Sequence, residues 1–181
     1  MTLANKITWG RLVISPFFIL FLFIGGMEGK ILSLLIFLIA SLGDFLDGYF
    51  ARKRNEVTSS GKIMDPVVDK ILVYGAFVSF IQLHLIPFWM VIILVARDFL
   101  VMGLRVEAAA KKTIISASKL AKAKTVSQYI VIFFVFFVII NEGLGITLWS
   151  SETVTFILMG VAVILSIISA IQYGLRSQHL T

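Results

Sequence analysis

Residues 44–69 read DFLDGYFARKRNEVTSSGKIMDPVVD, and this stretch contains four aspartates. Asp44 and Asp47 are three residues apart, and Asp65 and Asp69 are four residues apart. Because residues three or four apart on a helix lie on the same face, each pair can direct its carboxylates toward one place. Neighbouring carboxylates repel one another unless cations neutralise them, and hard divalent cations such as Mg²⁺ prefer oxygen ligands and phosphate partners. The stretch therefore predicts two facing helices that form a metal and phosphate site at a membrane face.

The composition indicates an integral membrane protein of one domain, residues 1–181. Hydrophobic residues make up 59% of the chain and charged residues 14%, whereas a soluble domain normally carries about 25% charged residues. The mean hydropathy is +1.01. The absence of cysteine excludes disulfides, zinc thiolate sites and thiol nucleophiles. The two histidines disfavour a histidine-rich metal site or a Ser-His-Asp arrangement.

The hydropathy pattern predicts an all-α fold with six transmembrane helices, preceded by a short interfacial helix at residues 3–11. The apolar run 31–43 is too short to cross alone, since a membrane helix needs about 20 residues. We therefore extend it to about residue 50, which places Asp44 and Asp47 within the end of helix two. The six predicted spans cover residues 12–27, 31–50, 62–83, 86–107, 121–140 and 154–173.

The distribution of charge predicts the orientation of these helices. Pro87 would break a single long helix between residues 62 and 107, so two helices with a tight outer turn at His84 are expected. The three predicted outer turns hold only one basic residue, Lys30. By the positive-inside rule, both termini and the aspartates then face the cytoplasm. The same rule, with attraction to anionic headgroups, accounts for the net charge of +6 without nucleic acid.

Charged side chains inside membrane helices are costly and usually functional. The spacing of the four aspartates favours a two-metal clamp, which stabilises the attacking and leaving oxygens of an in-line displacement. Asp69, at the edge of such a clamp, could also accept a proton from an attacking hydroxyl. A structural ion pair is the alternative, and for Asp98, with Arg97 or Arg105 as its partner, this alternative stays open.

Other residues fit a nucleotide and a second phosphate. Gly48 and Gly61 would allow close approach of a nucleotide to the backbone, or would pack helices together. Arg52 offers a planar fork for a phosphate. A basic group between residues 97 and 124 predicts a second, phosphate-bearing substrate, with attraction to lipid headgroups as the alternative. Its members are Arg97, Arg105, Lys111, Lys119, Lys122 and Lys124.

The stretch 44–69 resembles the signature of the CDP-alcohol phosphotransferase family, Asp-x2-Asp-Gly-x2-Ala-Arg-x8-Gly-x3-Asp-x3-Asp. The matching positions are Asp44, Asp47, Gly48, Ala51, Arg52, Gly61, Asp65 and Asp69. Other stretches are similar to the bacterial phosphatidylglycerophosphate synthase branch: Asn5-x2-Thr8-x2-Arg11, Ala96-Arg97-Asp98, Leu104-Arg105, Ser118-x3-Lys122-x-Lys124-Thr125-x2-Gln128 and Gln172-Tyr173. Two positions depart from that branch, because Ala121 stands where glycine is frequent and Asp98 where glutamate is frequent.

The resemblance implies the roles of individual residues. Two divalent ions, Mg²⁺ or Mn²⁺, would be bound by Asp44, Asp47, Asp65 and Asp69, and Asp69 would also act as the general base. The implied CDP-binding residues are Asn5, Thr8, Gly48, Ala51, Arg52 and Gly61. The candidates for binding the phosphate of the acceptor are Arg97, Arg105, Lys122 and Lys124.

The resemblance also implies the reaction and its setting. We expect a multi-pass enzyme of the cell membrane, a homodimer among membrane lipids, with its active site open to the cytoplasm. The expected reaction transfers the phosphatidyl group of CDP-diacylglycerol to sn-glycerol 3-phosphate and releases CMP. The alternatives are another acceptor (serine, inositol phosphate or phosphatidylglycerol) or, in a different class, a small cation transporter.

Overall fold

The computed structural model describes the backbone of residues 3–54, 59–110, 119–146 and 150–178, and the side chains of residues 9–43, 67–104, 106, 120–146 and 150–175. Within these ranges the chain forms six α-helices and no strand. They are α1 (Leu3–Ile24), α2 (Gly26–Arg54), α3 (Ser59–Gln82), α4 (Phe88–Ala110), α5 (Lys119–Gly143) and α6 (Ser151–Gln178). The predicted all-α fold is confirmed.

Three of the helices in the described part of the chain are long and apolar enough to cross a membrane. The spanning segments are Gly26–Gly43 in α2, Leu120–Gly143 in α5 and Ser151–Leu175 in α6, and α1 contains the shorter apolar segment Trp9–Ile24. These helices are those of a polytopic membrane protein. That α1, α3 and α4 also cross the membrane stays a prediction.

The beginning of the chain differs from the expected pattern. Residues 3–11 do not form a separate interfacial helix, because α1 continues without a break from Leu3 to Ile24. Arg11 is only 3% exposed, and the Ser15 hydroxyl donates a hydrogen bond of 2.7 Å to its carbonyl oxygen. The polar start of α1 is thus part of a helix that packs against α2.

The first turn is also tighter than expected. The predicted turn at residues 25–30 is reduced to a reversal at Gly25, and α2 begins at Gly26, which has a φ of 53°. Glycine adopts such positive φ values without strain. Glu28 lies in the first turn of α2, where the helix dipole favours a negative charge. Residues 26–30, predicted as part of the turn, therefore belong to the first turns of α2.

By its internal contacts the chain divides into two compact units. Unit 1 comprises Met1–Ser79 and Phe136–Leu148, and unit 2 comprises Phe80–Val135 and Trp149–Thr181. Each unit has buried apolar side chains of its own. The four signature aspartates belong to unit 1, and the described part of the basic group belongs to unit 2.

The core of unit 1 joins four helices through aromatic side chains. The ring of Phe37 in α2 lies 5.6 Å from that of Phe18 in α1, edge to face, and 5.8 Å from that of Phe136 in α5. A side chain at Gly75 in α3 would lie 3.5 Å from the Phe18 ring, so this helix approaches α1 closely. The packing fixes α2 and α3, the two helices that carry the aspartates.

The core of unit 2 forms where α4 packs against α6. Leu94 in α4 and Met159 and Ala162 in α6 are completely buried. Toward the start of both helices, the ring of Trp89 meets that of Phe156 at a distance of 6.5 Å. Because of this packing, the middle of α4, which contains Arg97 and Asp98, lies beside α6.

The predicted tight turn at His84 is confirmed. The amide of Leu85 donates to the carbonyl of Phe80 at 3.0 Å, and that of His84 donates to Ile81 at 2.9 Å. This pair of hydrogen bonds is a Schellman motif, in which the residue after the helix adopts a left-handed conformation. His84 does so with a φ of 58°. The motif satisfies the last carbonyls of α3 and turns the chain toward α4.

Candidate active site

The structure places the four signature aspartates on helices, as predicted. Asp44 and Asp47 belong to α2, and Asp65 and Asp69 belong to α3. The spacing within each pair therefore puts its two positions on one face of its own helix. This arrangement arises because α2 does not end at the first polar residue after its apolar run but continues to Arg54.

The two aspartate pairs lie at matching distances from the connection between their helices. Asp44 is ten residues before the end of α2, and Asp69 is ten residues after the start of α3, which is about 15 Å along each axis. Asp47 and Asp65 are seven and six residues away, or roughly 10 Å. An antiparallel pairing of the two helices, which is expected for helices joined by a short connection, would bring Asp44 level with Asp69 and Asp47 level with Asp65.

The side chain of Asp69 is half-buried. Beside it, the ammonium of Lys70 lies 5.8 Å from the centre of the Tyr74 ring, within the range of a cation–π interaction. The other signature side chains, those of Asp44, Asp47, Gly48, Ala51, Arg52, Gly61 and Asp65, lie outside the described side chains, as do those of Asn5 and Thr8. Among the side chains that are described, no three acidic or histidine residues form a group able to hold a metal.

Unit 2 contains a buried charged cluster that joins α4 to α5. The ammonium of Lys124 lies 2.5 and 2.7 Å from the two carboxylate oxygens of Asp98. The guanidinium of Arg97 donates to one of the same oxygens at 2.8 Å. The three side chains are 2%, 6% and 10% exposed, respectively. The ion pair of Asp98 with Arg97, left open by the sequence, is thus present, and Lys124 is a second cationic partner.

Arg97 also joins this cluster to α6. Its Nε donates to the carbonyl oxygen of Ser166 at 2.9 Å, and its second terminal nitrogen donates to the Ser169 hydroxyl at 2.7 Å. Both serines are completely buried. The sequence analysis did not single out these two serines, although serines in an apolar membrane helix often lie at contacts between helices.

A buried amide lies one helical turn beyond Lys124. Gln128 is 0% exposed, and within the described residues neither its amide nitrogen nor its amide oxygen has a hydrogen-bond partner. Within the same described residues, the buried Ser166 hydroxyl also has no hydrogen-bond partner. Buried polar groups are normally hydrogen-bonded, and an exception calls for a specific explanation.

The remaining basic candidates are placed differently. Lys122 is exposed, and it is two residues from Lys124, so the two lysines lie on different faces of α5. Arg105 belongs to α4, but its side chain lies outside the described ones. The structure thus brings Arg97 and Lys124 together and separates Lys122 from them.

Comparison with known proteins identifies the family. The model of the CDP-alcohol phosphatidyltransferase family matches residues 1–168. The chain belongs to the CDP-alcohol phosphatidyltransferase family. Residues 44–69, with their aspartates on α2 and α3, lie within the matched region.

Several curated relatives of this phosphatidyltransferase carry the name CDP-diacylglycerol–glycerol-3-phosphate 3-phosphatidyltransferase. The Bacillus subtilis protein is 38% identical over 142 residues, which cover 72% of this chain and 74% of the relative. The Rickettsia typhi protein is 35% identical over 171 residues and 94% of both chains. The Haemophilus influenzae protein is 33% identical over 172 residues, 90% of this chain and 86% of the relative.

The donor set of the phosphatidyltransferase fits the metal dependence that is general in its family. Hard divalent cations take oxygen ligands, and the end of α2 and the start of α3 supply four carboxylate-bearing positions. No cysteine is available in the chain, so a thiolate site for a softer metal is excluded. Mg²⁺ or Mn²⁺ is compatible with the residues present.

Proposed function

We propose that this phosphatidyltransferase transfers the phosphatidyl group of CDP-diacylglycerol to sn-glycerol 3-phosphate, giving phosphatidylglycerophosphate and CMP. The observation that carries the proposal is the match to the family model over residues 1–168, combined with relatives named for this reaction that cover up to 94% of the chain. The helical placement of the two aspartate pairs supports it, because the signature positions come in the spacing that one helix face requires.

The reaction is an in-line displacement at phosphorus. The 1-hydroxyl oxygen of glycerol 3-phosphate forms a bond to the β-phosphorus of CDP-diacylglycerol. The bond from that phosphorus to the oxygen bridging the two phosphates breaks, and its electron pair leaves with CMP. Asp69 takes the hydroxyl proton, a role that supplies roughly 10²- to 10⁴-fold of rate when a general base is well placed.

The ends of α2 and α3 provide the donor site in this proposal. Two divalent cations, when bound, neutralise the pyrophosphate and stabilise the attacking and leaving oxygens. The residues that would hold them are Asp44, Asp47, Asp65 and Asp69. The residues proposed to bind the CDP moiety are Asn5, Thr8, Gly48, Ala51, Arg52 and Gly61.

The basic group provides the acceptor site in this proposal. A phosphate-bearing acceptor requires cations, whereas serine does not require this many. The candidates are Arg97, Arg105, Lys122 and Lys124, and two of them lie together at Asp98 in the structure. Guanidinium groups bind phosphate oxygens in a planar fork, and lysine acts as a point charge.

The membrane setting completes the proposal. The helices of the protein suit a membrane, and the positive-inside rule places both termini and the aspartates on the cytoplasmic side of the cell membrane. CDP-diacylglycerol would reach the enzyme from the lipid and glycerol 3-phosphate from the cytoplasm. We propose a homodimer as the working assembly.

One experiment tests the reaction directly. Purified protein is incubated in detergent micelles with CDP-diacylglycerol, Mg²⁺ and one alcohol at a time: glycerol 3-phosphate, serine, inositol phosphate or phosphatidylglycerol. The expected result is CMP release that is fastest with glycerol 3-phosphate. Faster release with another alcohol would overturn the acceptor assignment. Ion flux through vesicles containing the protein, without CMP release for any alcohol, would instead indicate a cation transporter.

A further inference from the structure

The charged cluster of Arg97, Asp98 and Lys124 has more hydrogen bonds than a simple ion pair requires. Lys124 contacts both carboxylate oxygens of Asp98, not one. Two contacts from one ammonium to both oxygens of one carboxylate hold the head group of Lys124 in one place. Asp98 therefore determines where the positive charge of Lys124 lies.

Hydrogen bonds also fix the orientation of the Arg97 side chain. Three different nitrogens of its guanidinium donate to three different acceptors: Asp98, the Ser166 carbonyl and the Ser169 hydroxyl. A planar group held at three points has one orientation, and the two remaining donors of the five that arginine carries have fixed directions. The cluster thus presents two oriented cations, both of which depend on one carboxylate.

Gln128 indicates that a polar ligand belongs beside these cations. Residues 124 and 128 are four apart on α5 and share a face. The Gln128 amide is completely buried and lacks a hydrogen-bond partner within the described residues. A buried amide without hydrogen bonds is destabilising; a phosphate oxygen of a ligand would accept from its nitrogen, and a hydroxyl group of the ligand would donate to its oxygen. This second observation comes from a different residue and a different kind of group.

We propose that Asp98 is a positioning residue for the acceptor: it holds the positive charges of Lys124 and Arg97 where they bind the phosphate of the incoming alcohol, with the Gln128 amide beside them. The inference rests on the proposed function, since it names the residues of the basic group that act on the acceptor. Of the two candidate lysines on α5, the inference selects Lys124, because Lys122 is exposed and lies on another face of the helix.

The test measures steady-state CMP release by the full chain in detergent micelles with Mg²⁺. The concentrations of glycerol 3-phosphate and of CDP-diacylglycerol are varied separately for wild type, Asp98→Asn and Asp98→Glu. Asp98→Asn is expected to raise the KM for glycerol 3-phosphate roughly ten- to hundredfold, the value of a hydrogen bond to a charged group. The KM for CDP-diacylglycerol is expected to stay unchanged. Asp98→Glu keeps the carboxylate and is expected to recover most of the loss.

A second variant separates positioning from folding. Removing only the carboxylate leaves two buried cations without it, which destabilises a protein strongly, whereas replacing both members of a pair with neutral groups does not. The double variant Asp98→Asn/Lys124→Met leaves only Arg97 without the carboxylate and is therefore expected to regain part of the lost unfolding temperature, while its KM for glycerol 3-phosphate stays high. Glu142→Gln, the same change at an exposed carboxylate, is the matched control and is expected to behave as wild type.

The outcomes can be told apart. If Asp98→Asn lowers the unfolding temperature and leaves both KM values unchanged, Asp98 is only a structural tie and the inference is overturned. Recovery of the glycerol 3-phosphate KM in the double variant would overturn it as well. If wild type releases no CMP with glycerol 3-phosphate, the proposed function fails, and the inference fails with it. If wild type is active with glycerol 3-phosphate and the variants have the same KM values as wild type, the inference is overturned but the proposed function stands.

Discussion

The hydroxyl oxygen of Ser33 in α2 lies 2.7 Å from the carbonyl oxygen of Phe18 in α1, to which it donates a hydrogen bond. Ser33 is completely buried. The bond connects the same two helices as the edge-to-face contact of Phe18 with Phe37. Polar and aromatic contacts therefore act together at one level of the α1–α2 hairpin, and α2 is the helix that carries Asp44 and Asp47.

Replacing Ser33 with alanine is expected to destabilise the protein by about 0.5–1 kcal/mol, since hydrogen bonds between membrane helices are worth about 0.6 kcal/mol on average. The measurement is unfolding in mixed micelles with increasing denaturing detergent. Ser41→Ala is the control, because the Ser41 hydroxyl donates within its own helix, to the Phe37 carbonyl. An equal loss in both variants would show that the bond between helices has no special contribution.

Gly29→Ala is expected to destabilise the hairpin. A side chain at Gly29 would place its Cβ 2.5 Å from the carbonyl oxygen of Phe21, and relieving such overpacking costs about 1–3 kcal/mol. At Gly103 in α4 a Cβ would meet nothing within 4 Å. Gly103→Ala is therefore expected to be neutral or to stabilise the helix by up to about 1 kcal/mol. Thermal unfolding of the two variants in the same detergent checks the opposite signs.

His84 after α3 and Gly145 after α5 have similar left-handed conformations and give a paired prediction. His84 has a φ of 58° and Gly145 a φ of 76° in equivalent Schellman motifs, since Ile146 donates to Asn141 and Gly145 to Glu142. A side chain in this conformation costs roughly 1–2 kcal/mol. His84→Gly is therefore expected to raise the unfolding temperature and Gly145→Ala to lower it. Shifts of the same sign would contradict the argument from backbone strain.

Asp69→Asn is expected to fold and to lose turnover. If Asp69 accepts the proton of the attacking hydroxyl, its loss removes roughly 10²- to 10⁴-fold of rate. CMP release gives the rate, and thermal unfolding shows that the fold is kept. Glu152→Gln, at an exposed carboxylate in the first turn of α6, is the matched control. Near-normal CMP release by Asp69→Asn would exclude Asp69 as the base.

Removal of divalent cations is expected to stop CMP release, and Mg²⁺ or Mn²⁺ is expected to restore it. The cations should also stabilise the fold without any substrate, by about 2.7 kcal/mol at a concentration one hundred times the dissociation constant. Asp44→Asn is expected to lose this stabilisation, because it removes a ligand. If the unfolding temperature of Asp44→Asn rises with Mg²⁺ as much as that of wild type, Asp44 does not bind the metal.

Much of the fold could be predicted from the hydropathy pattern and from the residues that interrupt helices. The helix starts and ends of α3 to α6 agree with the predicted spans to within a few residues, because Pro87 and the polar loops interrupt the apolar runs. The start of the chain could not be predicted as well. A reversal at Gly25 alone depends on how closely the backbone of Gly29 approaches it, and hydropathy contains no information about that distance.

The amino-acid sequence by itself determined the all-α membrane class and the family, because composition and the fixed spacing of eight signature positions need no knowledge of contacts. It also determined which residues are candidates for binding metal and phosphate. Only the tertiary structure decided where the basic residues lie. Lys122 and Lys124 look alike in the sequence, yet one is exposed and the other is buried on Asp98. The reason is that pairing of charges depends on which helix faces pack together: Asp98 of α4 meets Lys124 of α5, and Arg97 of α4 meets Ser166 of α6, only in the folded chain.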